Sequence, residues 1–262
     1  MVDLAGKVAV VTGAGRDGSG RAIARRLARG GATVVVSDIN GTGGLETVRQ
    51  IEQTGGRAAF CACDVRSEEQ LRRLIVFAED TFGSLGILVN NASAPVHFDE
   101  PLEHWADAIQ TDLFGAIYGT RLAIEAMRRA GGGAIVNMSS ISALWHGRKG
   151  RSPAYDVAKA GVIRLTTTLA WLAEKEHIRV NCLAPGWIAT AELRAFWEPL
   201  TPEQRRARGA PERLLQLDEV ADAVVRLATD ESLAGRVLVW WSDDSPGLIP
   251  WRDPGYAALA AW

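Results

Sequence analysis

Cysteine is scarce. Cys61, Cys63 and Cys182 are the only three, an odd number without paired metal-ligand spacing. No disulfide framework and no metal site can be read from them, and reduced, buried thiols are the expected state. An excess of charge of one sign is also lacking. The 29 basic and 31 acidic residues leave a net charge of −2. Arg205, Arg206 and Arg208 cluster, but no basic stripe marks a nucleic-acid surface. No apolar run approaches the roughly 18 residues of a membrane span, and the N-terminus shows neither the apolar core nor the cleavage pattern of a secretory signal. The expectation is a soluble cytoplasmic protein with no nucleic-acid and no membrane partner. Internal repeats and Pro/Ser-rich linkers are missing as well, so residues 1–262 read as one large α/β unit.

What is present is an alternation. Residues 7–12 (KVAVVT), 32–37 (ATVVVS), 87–89, 134–138, 178–183 and 236–241 are short, apolar and β-branched, as buried strands are. Residues 67–82, 101–130 and 154–174 have helical patterning. In the first of these, Ser67 and Gln70 are spaced as a capping box, and Leu71, Leu74, Ile75 and Ala78 face inward. Strands alternating with helices imply a three-layer, doubly wound α/β fold with a parallel sheet of about seven strands. Ligands of such sheets bind beyond the C-terminal strand edges.

Two features at that edge carry chemistry. After the first strand come Gly13, Ala14, Gly15, Arg16, Asp17, Gly18, Ser19 and Gly20, then a helical stretch with Ile23 and Leu27 on its inner face. A strand, a glycine turn and a helix form a phosphate cradle. Glycines let backbone N–H groups approach a pyrophosphate, and the helix N-terminus supplies positive potential. The second strand ends at Asp38, about where an acidic residue would hold a nucleotide ribose, followed by Ile39 and Asn40, which add no cation. The other feature is Tyr155 and Lys159, four apart on one helix face. Most such pairs are solvated surface. An ammonium beside a phenol nevertheless favours the phenolate, and is expected to pull Tyr155 below the usual phenol value of about 10. A tyrosine so tuned can exchange a proton with an alcohol or carbonyl.

Together these residues resemble the short-chain dehydrogenase/reductase family. The markers arrive in family order from Gly6 to about Trp241: the glycine turn, Asp64-Val65, Asn90-Asn91-Ala92, Ser139-Ser140, Tyr155 with Lys159, then Pro185-Gly186 and Thr190. The resemblance implies a Rossmann-like fold and a nicotinamide-dependent oxidoreductase, moving a hydride between the nicotinamide and a carbon bearing an alcohol or carbonyl. In that reading Tyr155 is the acid/base, Ser140 hydrogen-bonds the substrate oxygen, and Lys159 binds the nicotinamide ribose. Gly13, Gly18, Ser19 and Gly20 would hold the pyrophosphate, Asp38 and Ile39 the adenosine ribose, and Asp64 and Val65 the adenine. Asn91 and Ala92 would lie along the cofactor, and Pro185, Gly186, Ile188 and Thr190 at its nicotinamide end. NAD is expected over NADP, because a 2′-phosphate would face Asp38; Arg16 in the glycine turn is the opposing feature. Epimerisation or dehydration on the same fold, and a non-catalytic dinucleotide sensor, are the alternatives.

Four places depart from the family pattern. Four residues, not three, separate Gly13 from Gly18, so Arg16 and Asp17 are expected to bulge. Ser140 follows the fifth strand but lies fifteen residues before Tyr155; Ser142 has the family's count of thirteen but lies past the strand. Ser140 is preferred, because strand ends are fixed by the sheet while loops absorb insertions. The inserted residues then fall in 144–153, with Trp145, His146, Arg148, Lys149 and Arg151. Asp112 stands where the family often has an asparagine that helps hold a relay water near the lysine. Either the relay tolerates the acid or the enzyme is altered. Lastly, the tail at 242–262 replaces an Asp-Gly-Gly-type turn. Trp240, Trp241, Trp251 and Trp262 are four of the nine tryptophans, which suits packing on its own or a neighbouring subunit better than disorder, with lining of a substrate site as the lesser alternative.

The substrate loop is placed at 191–217, with Leu193, Phe196, Trp197 and Leu200 ahead of a charged run. With Trp145 and Trp187 it suggests an apolar, cyclic or aromatic secondary alcohol or ketone, or else a lid whose aromatics merely pack down. The apolar-faced helices at 102–129 and 154–174, with Leu113, Ile117, Leu165 and Leu169, together with the resemblance suggest a homodimer or homotetramer.

Overall fold

The computed structural model describes residues 3–95, 105–144 and 152–250. Six strands follow the apolar runs: β1 Val8–Thr12, β2 Thr33–Asp38, β4 Ile87–Asn90, β5 Gly133–Met138, β6 Ile178–Pro185 and β7 Val237–Trp240; β3 Arg57–Ala62 and the two-residue β8 Gly247–Leu248 complete the sheet. The sheet order is β3-β2-β1-β4-β5-β6-β7-β8. All pairs are parallel except β7–β8. The central strands are apolar throughout because both faces are covered; every residue of β1 and β4 is buried. On one face α1 (Ser19–Arg29) and α10 (Leu217–Thr229) pack through Ile23, Leu27 and Val224. On the other, α3 (Glu68–Phe82) and α5 (Gly115–Ala130) contribute Leu71, Leu74 and Met127. The chain reverses direction across the sheet between β1 and β4. That reversal opens the crevice where ligands of doubly wound sheets bind.

Three expectations are corrected. The 101–130 run is not one helix. Among the described residues it comprises α4 (Trp105–Ala108), a π-helical segment (Ile109–Phe114) and α5, with Gly115 N–H reaching Gln110 O. The 154–174 run breaks into α6 (Pro153–Thr168) and α7 (Leu172–Glu176). The threonines before the break turn their hydroxyls back on helix carbonyls: Thr166 Oγ1 donates to Val162 O and Thr168 Oγ1 to Arg164 O. Such bonds compete with the helix ladder, and β-branching weakens it further. The box at α3 is only half formed. Ser67 accepts from Gln70 N–H at 3.3 Å, but the Gln70 side chain accepts from Asp64 N–H at 3.0 Å instead of from Ser67. No helix among the described residues is long and apolar enough to cross a membrane.

Candidate active site

The glycine turn is fastened to the end of β4. Thr12 Oγ1 accepts from the N–H groups of Asn91 and Ala92, and Asn91 Nδ2 donates to Thr12 O and Gly13 O at 3.0 and 3.1 Å. Ser19 Oγ donates to Asn91 Oδ1 at 2.8 Å. Gly13 sits at φ +66°, and a Cβ there would meet Ala92 Cα at 2.6 Å; a Cβ on Gly20 would run into Gly13 O. Arg16 and Asp17, the residues expected to bulge, are exposed. α1 begins at Ser19 with Gly18 as an N-cap that offers no side-chain acceptor. Its first N–H groups are thus free of a cap, and nothing lies nearer to a Cβ on Gly18 than Thr190 Cγ2, at 3.9 Å. An uncapped helix start facing an open gap fits a pyrophosphate.

The ribose end is equally defined. Asp38 is buried, and its two carboxylate oxygens accept from Gly15 N–H and Asn40 N–H, each at 2.8 Å. Ile39 is exposed beyond it. Sequence reasoning missed what holds Gly15 in place. Arg21 donates from Nε to Thr47 Oγ1 at 2.9 Å and from Nη2 to Gly15 O at 2.8 Å, and Thr47 Oγ1 donates to Ala14 O at 2.7 Å. A legible signal existed: a cation in the first turn of a helix opposes the dipole and needs a local reason. Asp64 is engaged by Arg66, whose hydrogen bonds hold the carboxyl below its usual range. Val65 is buried, and a Cβ on Gly115 would press on it at 2.9 Å.

The reacting groups gather where β5 ends. Ser139 Oγ donates to Lys159 O at 2.8 Å, and Lys159 Nζ donates to Met138 O at 3.0 Å. This ties α6 to the strand. Ser152 caps α6 by accepting from Tyr155 N–H, ahead of Pro153 in the first turn. Lys159 Nζ lies 5.4 Å from the Tyr155 ring centre, and Ser140, two residues beyond β5, is close enough to the phenol to favour its ionised form. Ser142 lies in a short 3-10 turn (Ile141–Leu144); its N–H donates to Ser140 Oγ at 3.1 Å, and its own hydroxyl is buried without a partner. Trp145, His146, Arg148, Lys149 and Arg151 lie outside the described residues.

Asp112 has the least expected surroundings. It sits on the π-helical segment, fully buried, and forms an ion pair with Lys159 Nζ at 2.8 Å. Ser93 Oγ donates to Asp112 Oδ1 at 2.5 Å, and Ala94 N–H to Oδ2 at 3.1 Å. This corrects the electrostatic expectation for Tyr155. Burial pushes the phenol above its ordinary value; Lys159 pulls it down, but Asp112 pushes it up, and the net direction is upward. Lys159 is also raised: burial lowers it, while Asp112 and Tyr155 more than compensate.

Beyond β6 the remaining markers line the other wall. Gly186 N–H donates to Trp240 O at 2.8 Å, and Trp187 N–H to the buried Ser242 Oγ at 2.8 Å. Pro185 is buried at the strand end, and Ile188 pairs with Leu215. Thr190 Oγ1 accepts from Leu193 N–H as the cap of α8 (Ala191–Trp197), leaving its hydroxyl hydrogen free to donate. The substrate loop adds α9 (Pro202–Arg208), which starts in a Thr201/Gln204 capping box. Trp187 and Phe196 rings are 6.1 Å apart, and the Arg205 guanidinium lies 3.3 Å over the Trp197 ring. Asp243 accepts from Glu212 and Arg213 N–H, so the first part of the tail grips this loop. Trp251 and Trp262 lie outside the described residues.

A glycine turn before an uncapped helix, with a hydroxyl, a phenol and an ammonium at the same sheet edge, defines an α/β domain of the dinucleotide-binding type. A family model described as enoyl-(acyl carrier protein) reductase matches residues 13–238. The 7alpha-hydroxysteroid dehydrogenase of Escherichia coli (strain K12) is 36% identical over 242 residues, which cover 90% of this chain and 92% of the relative. The cis-4-hydroxycyclohexanecarboxylate dehydrogenase of Sinomonas cyclohexanicum is 39% identical and covers 98% of each chain. Among solved structures, a 7 alpha-hydroxysteroid dehydrogenase complexed with NADH and 7-oxo glycochenodeoxycholic acid matches with a TM-score of 0.81 at 34% identity, over 93% of this chain and 95% of that one. The chain belongs to the short-chain dehydrogenase/reductase family and is an oxidoreductase.

Proposed function

We propose that this protein is an NAD-dependent dehydrogenase that interconverts a cyclic secondary alcohol and its ketone, with Tyr155 as acid/base. The observation that carries the reading is the Ser140–Tyr155–Lys159 cluster at the strand edge that also bears the glycine turn. When bound, the nicotinamide supplies the hydride acceptor or donor. The chain's own residues do the rest. Gly13, Gly18, Ser19 and Gly20 leave room and N–H groups for the pyrophosphate, and Asn91 and Ala92 hold the turn beside it. Asp38 receives the adenosine ribose hydroxyls with Ile39 alongside, and Val65, next to Asp64, supplies an apolar surface for the adenine. Pro185, Gly186, Ile188 and Thr190 bound the nicotinamide end. Tyr155 Oη delivers a proton to the substrate oxygen in reduction and removes it in oxidation, Ser140 hydrogen-bonds the same oxygen, and Lys159 anchors the nicotinamide ribose.

A ring substrate is supported by two relatives whose names specify hydroxyls on a steroid and on a cyclohexane. Trp187, Phe196 and Leu193 offer the apolar wall such a ring needs. NAD is supported by Asp38 and by the NADH in the matched structure. The protein works in the cytoplasm as one unit per chain, assembled as a homodimer or homotetramer on the face of the π-helical segment, α5 and α6, where Leu113, Ile117, Leu165 and, at the end of α6, Leu169 are half-buried and Val157 is exposed. Light scattering at micromolar concentration checks the assembly, and a monomer would count against it.

Tyr155→Phe tests the chemistry. General acid–base groups contribute about 10²–10⁴-fold, so turnover of a cyclic alcohol should fall at least 10²-fold while NADH binding by fluorescence stays within a few-fold. A variant retaining a tenth of the wild-type rate would remove Tyr155 from the mechanism.

A further inference from the structure

We propose that Asp112 is a positioning residue that locks Lys159 in a direct buried ion pair and thereby keeps Tyr155 a neutral proton donor, poising the free enzyme for carbonyl reduction. The inference rests on the dehydrogenase reading above. Three observations carry it. The carboxylate is 2.8 Å from Lys159 Nζ, with both side chains almost wholly inaccessible, so there is a direct contact without an intervening water. It is held in place from the other side by Ser93 Oγ and Ala94 N–H. It is also carried on a π-helical segment (Ile109–Phe114), a geometry that concentrates at functional positions because the extra residue turns side chains out of the regular helical register.

The charge balance around the phenol follows. Among the described residues, the charged or titratable groups acting on Tyr155 are Lys159 and Asp156 from α6 and Asp112 from the π-helical segment, with the Ser140 hydroxyl nearby at the end of β5. Cys182 of β6 lies near Lys159, but burial pushes its thiol up to about 12, so it stays neutral and leaves the ammonium's charge to Asp112. A lone Lys159 would favour the phenolate. With Asp112 in contact, the ammonium is largely neutralised, and the phenolate would face a buried carboxylate. An uncharged asparagine at 112 could accept Ser93's hydrogen bond but would not cancel the lysine.

The test reads Tyr155 directly. Protein labelled with ¹³Cζ-tyrosine shows three tyrosine resonances, and Tyr155 is assigned by its loss in Tyr155→Phe. In the cofactor-free wild type, the Tyr155 titration midpoint is expected above about 10, the ordinary phenol value; a midpoint below that overturns the proposal. In Asp112→Asn, the midpoint should fall by about one pH unit, as expected for removing a unit charge some 10 Å or less away at an effective dielectric near 20. The kcat/KM profile for alcohol oxidation should shift to lower pH with it. A folded Asn variant, checked by circular dichroism, that titrates like wild type also overturns it. Asp112→Glu keeps the charge and should keep the wild-type midpoint. If loss of the carboxylate prevents folding, the wild-type and Glu titrations decide. Because the resonance is read without turnover, failure of this proposal is distinct from failure of the dehydrogenase reading, which Tyr155→Phe activity addresses.

Discussion

Cofactor choice can be worked from the geometry around Asp38. Its oxygens are pinned by Gly15 and Asn40 N–H at 2.8 Å each, so the carboxylate cannot swing away from an incoming phosphate. A 2′-phosphate about 4 Å away would be repelled by roughly 1 kcal/mol if water screens the pair and roughly 4 kcal/mol at an effective dielectric near 20. That range corresponds to about 5-fold to 10³-fold in favour of NAD. Two cations lie near. Arg21 is already committed to Gly15 O, Gly43 O and Thr47 Oγ1; Arg16 could reverse the preference, but its side chain is 72% exposed and lies 3.9 Å from Glu192, so solvent and a carboxylate already answer its charge. Asp38→Asn removes the repulsion. It also leaves one of the two N–H donors without an acceptor, which costs about 1–3 kcal/mol of local stability and weakens both cofactors. The ratio isolates the charge: kcat/KM for NAD over NADP should exceed about 5 in the wild type and drop by at least that factor in the variant. A wild type that prefers NADP, or a ratio unmoved by the substitution, would show that Arg16 dominates the site.

Two more outcomes follow from the same region. Ser140→Ala should lower kcat/KM by about 10²–10³, the range for losing one donor to a developing oxyanion, while Ser142→Ala should cost far less; steady-state kinetics of the two single variants would refute the assignment if the order were reversed. Gly43→Ala puts a Cβ into Gly15 O, so α2 (Gly41–Glu52) must move off the glycine turn. Overpacking of this kind costs about 1–3 kcal/mol, and thermal melts should show it together with weaker NADH binding.

Much of this was legible in the sequence because it is local. The β1–glycine turn–α1 unit, Asp38 at the end of β2 and the Tyr155/Lys159 face all follow from nearest-neighbour rules about strands, turns and helix periodicity. The half-closed cap at Ser67 and the break after Thr168 were not seen, since both turn on which of two available partners a side chain selects. The π-helical segment is invisible to periodicity: one extra residue inside an apolar helical run still looks apolar and helical. The Asp112–Lys159 pair joins residues far apart in the chain, beyond the reach of any spacing rule; for the Arg21–Thr47–Gly15 fastening only the cation in the first turn of α1 was a sign, and nothing in the spacing named Thr47 as its partner. β8 is two residues long, too short to leave a pattern to read. By contrast, the capping box Thr201-Pro202-Glu203-Gln204 was a local sign of α9 that could have been used.

The π-helical segment makes the site separable from the fold by a single residue. Removing one amino acid within 109–114 would let α4 continue into α5 as regular helix. Each residue advances a helix by about 100°, so positions on the N-terminal side of the deletion would rotate by about that angle relative to α5, which stays anchored on the sheet through Leu122, Ala126 and Met127. A deletion just C-terminal to Asp112 would therefore carry its carboxylate away from Lys159 while leaving the packed helix behind it in place. Natural gain or loss of one codon here is a route by which such a protein could acquire or discard the buried ion pair without rebuilding its core.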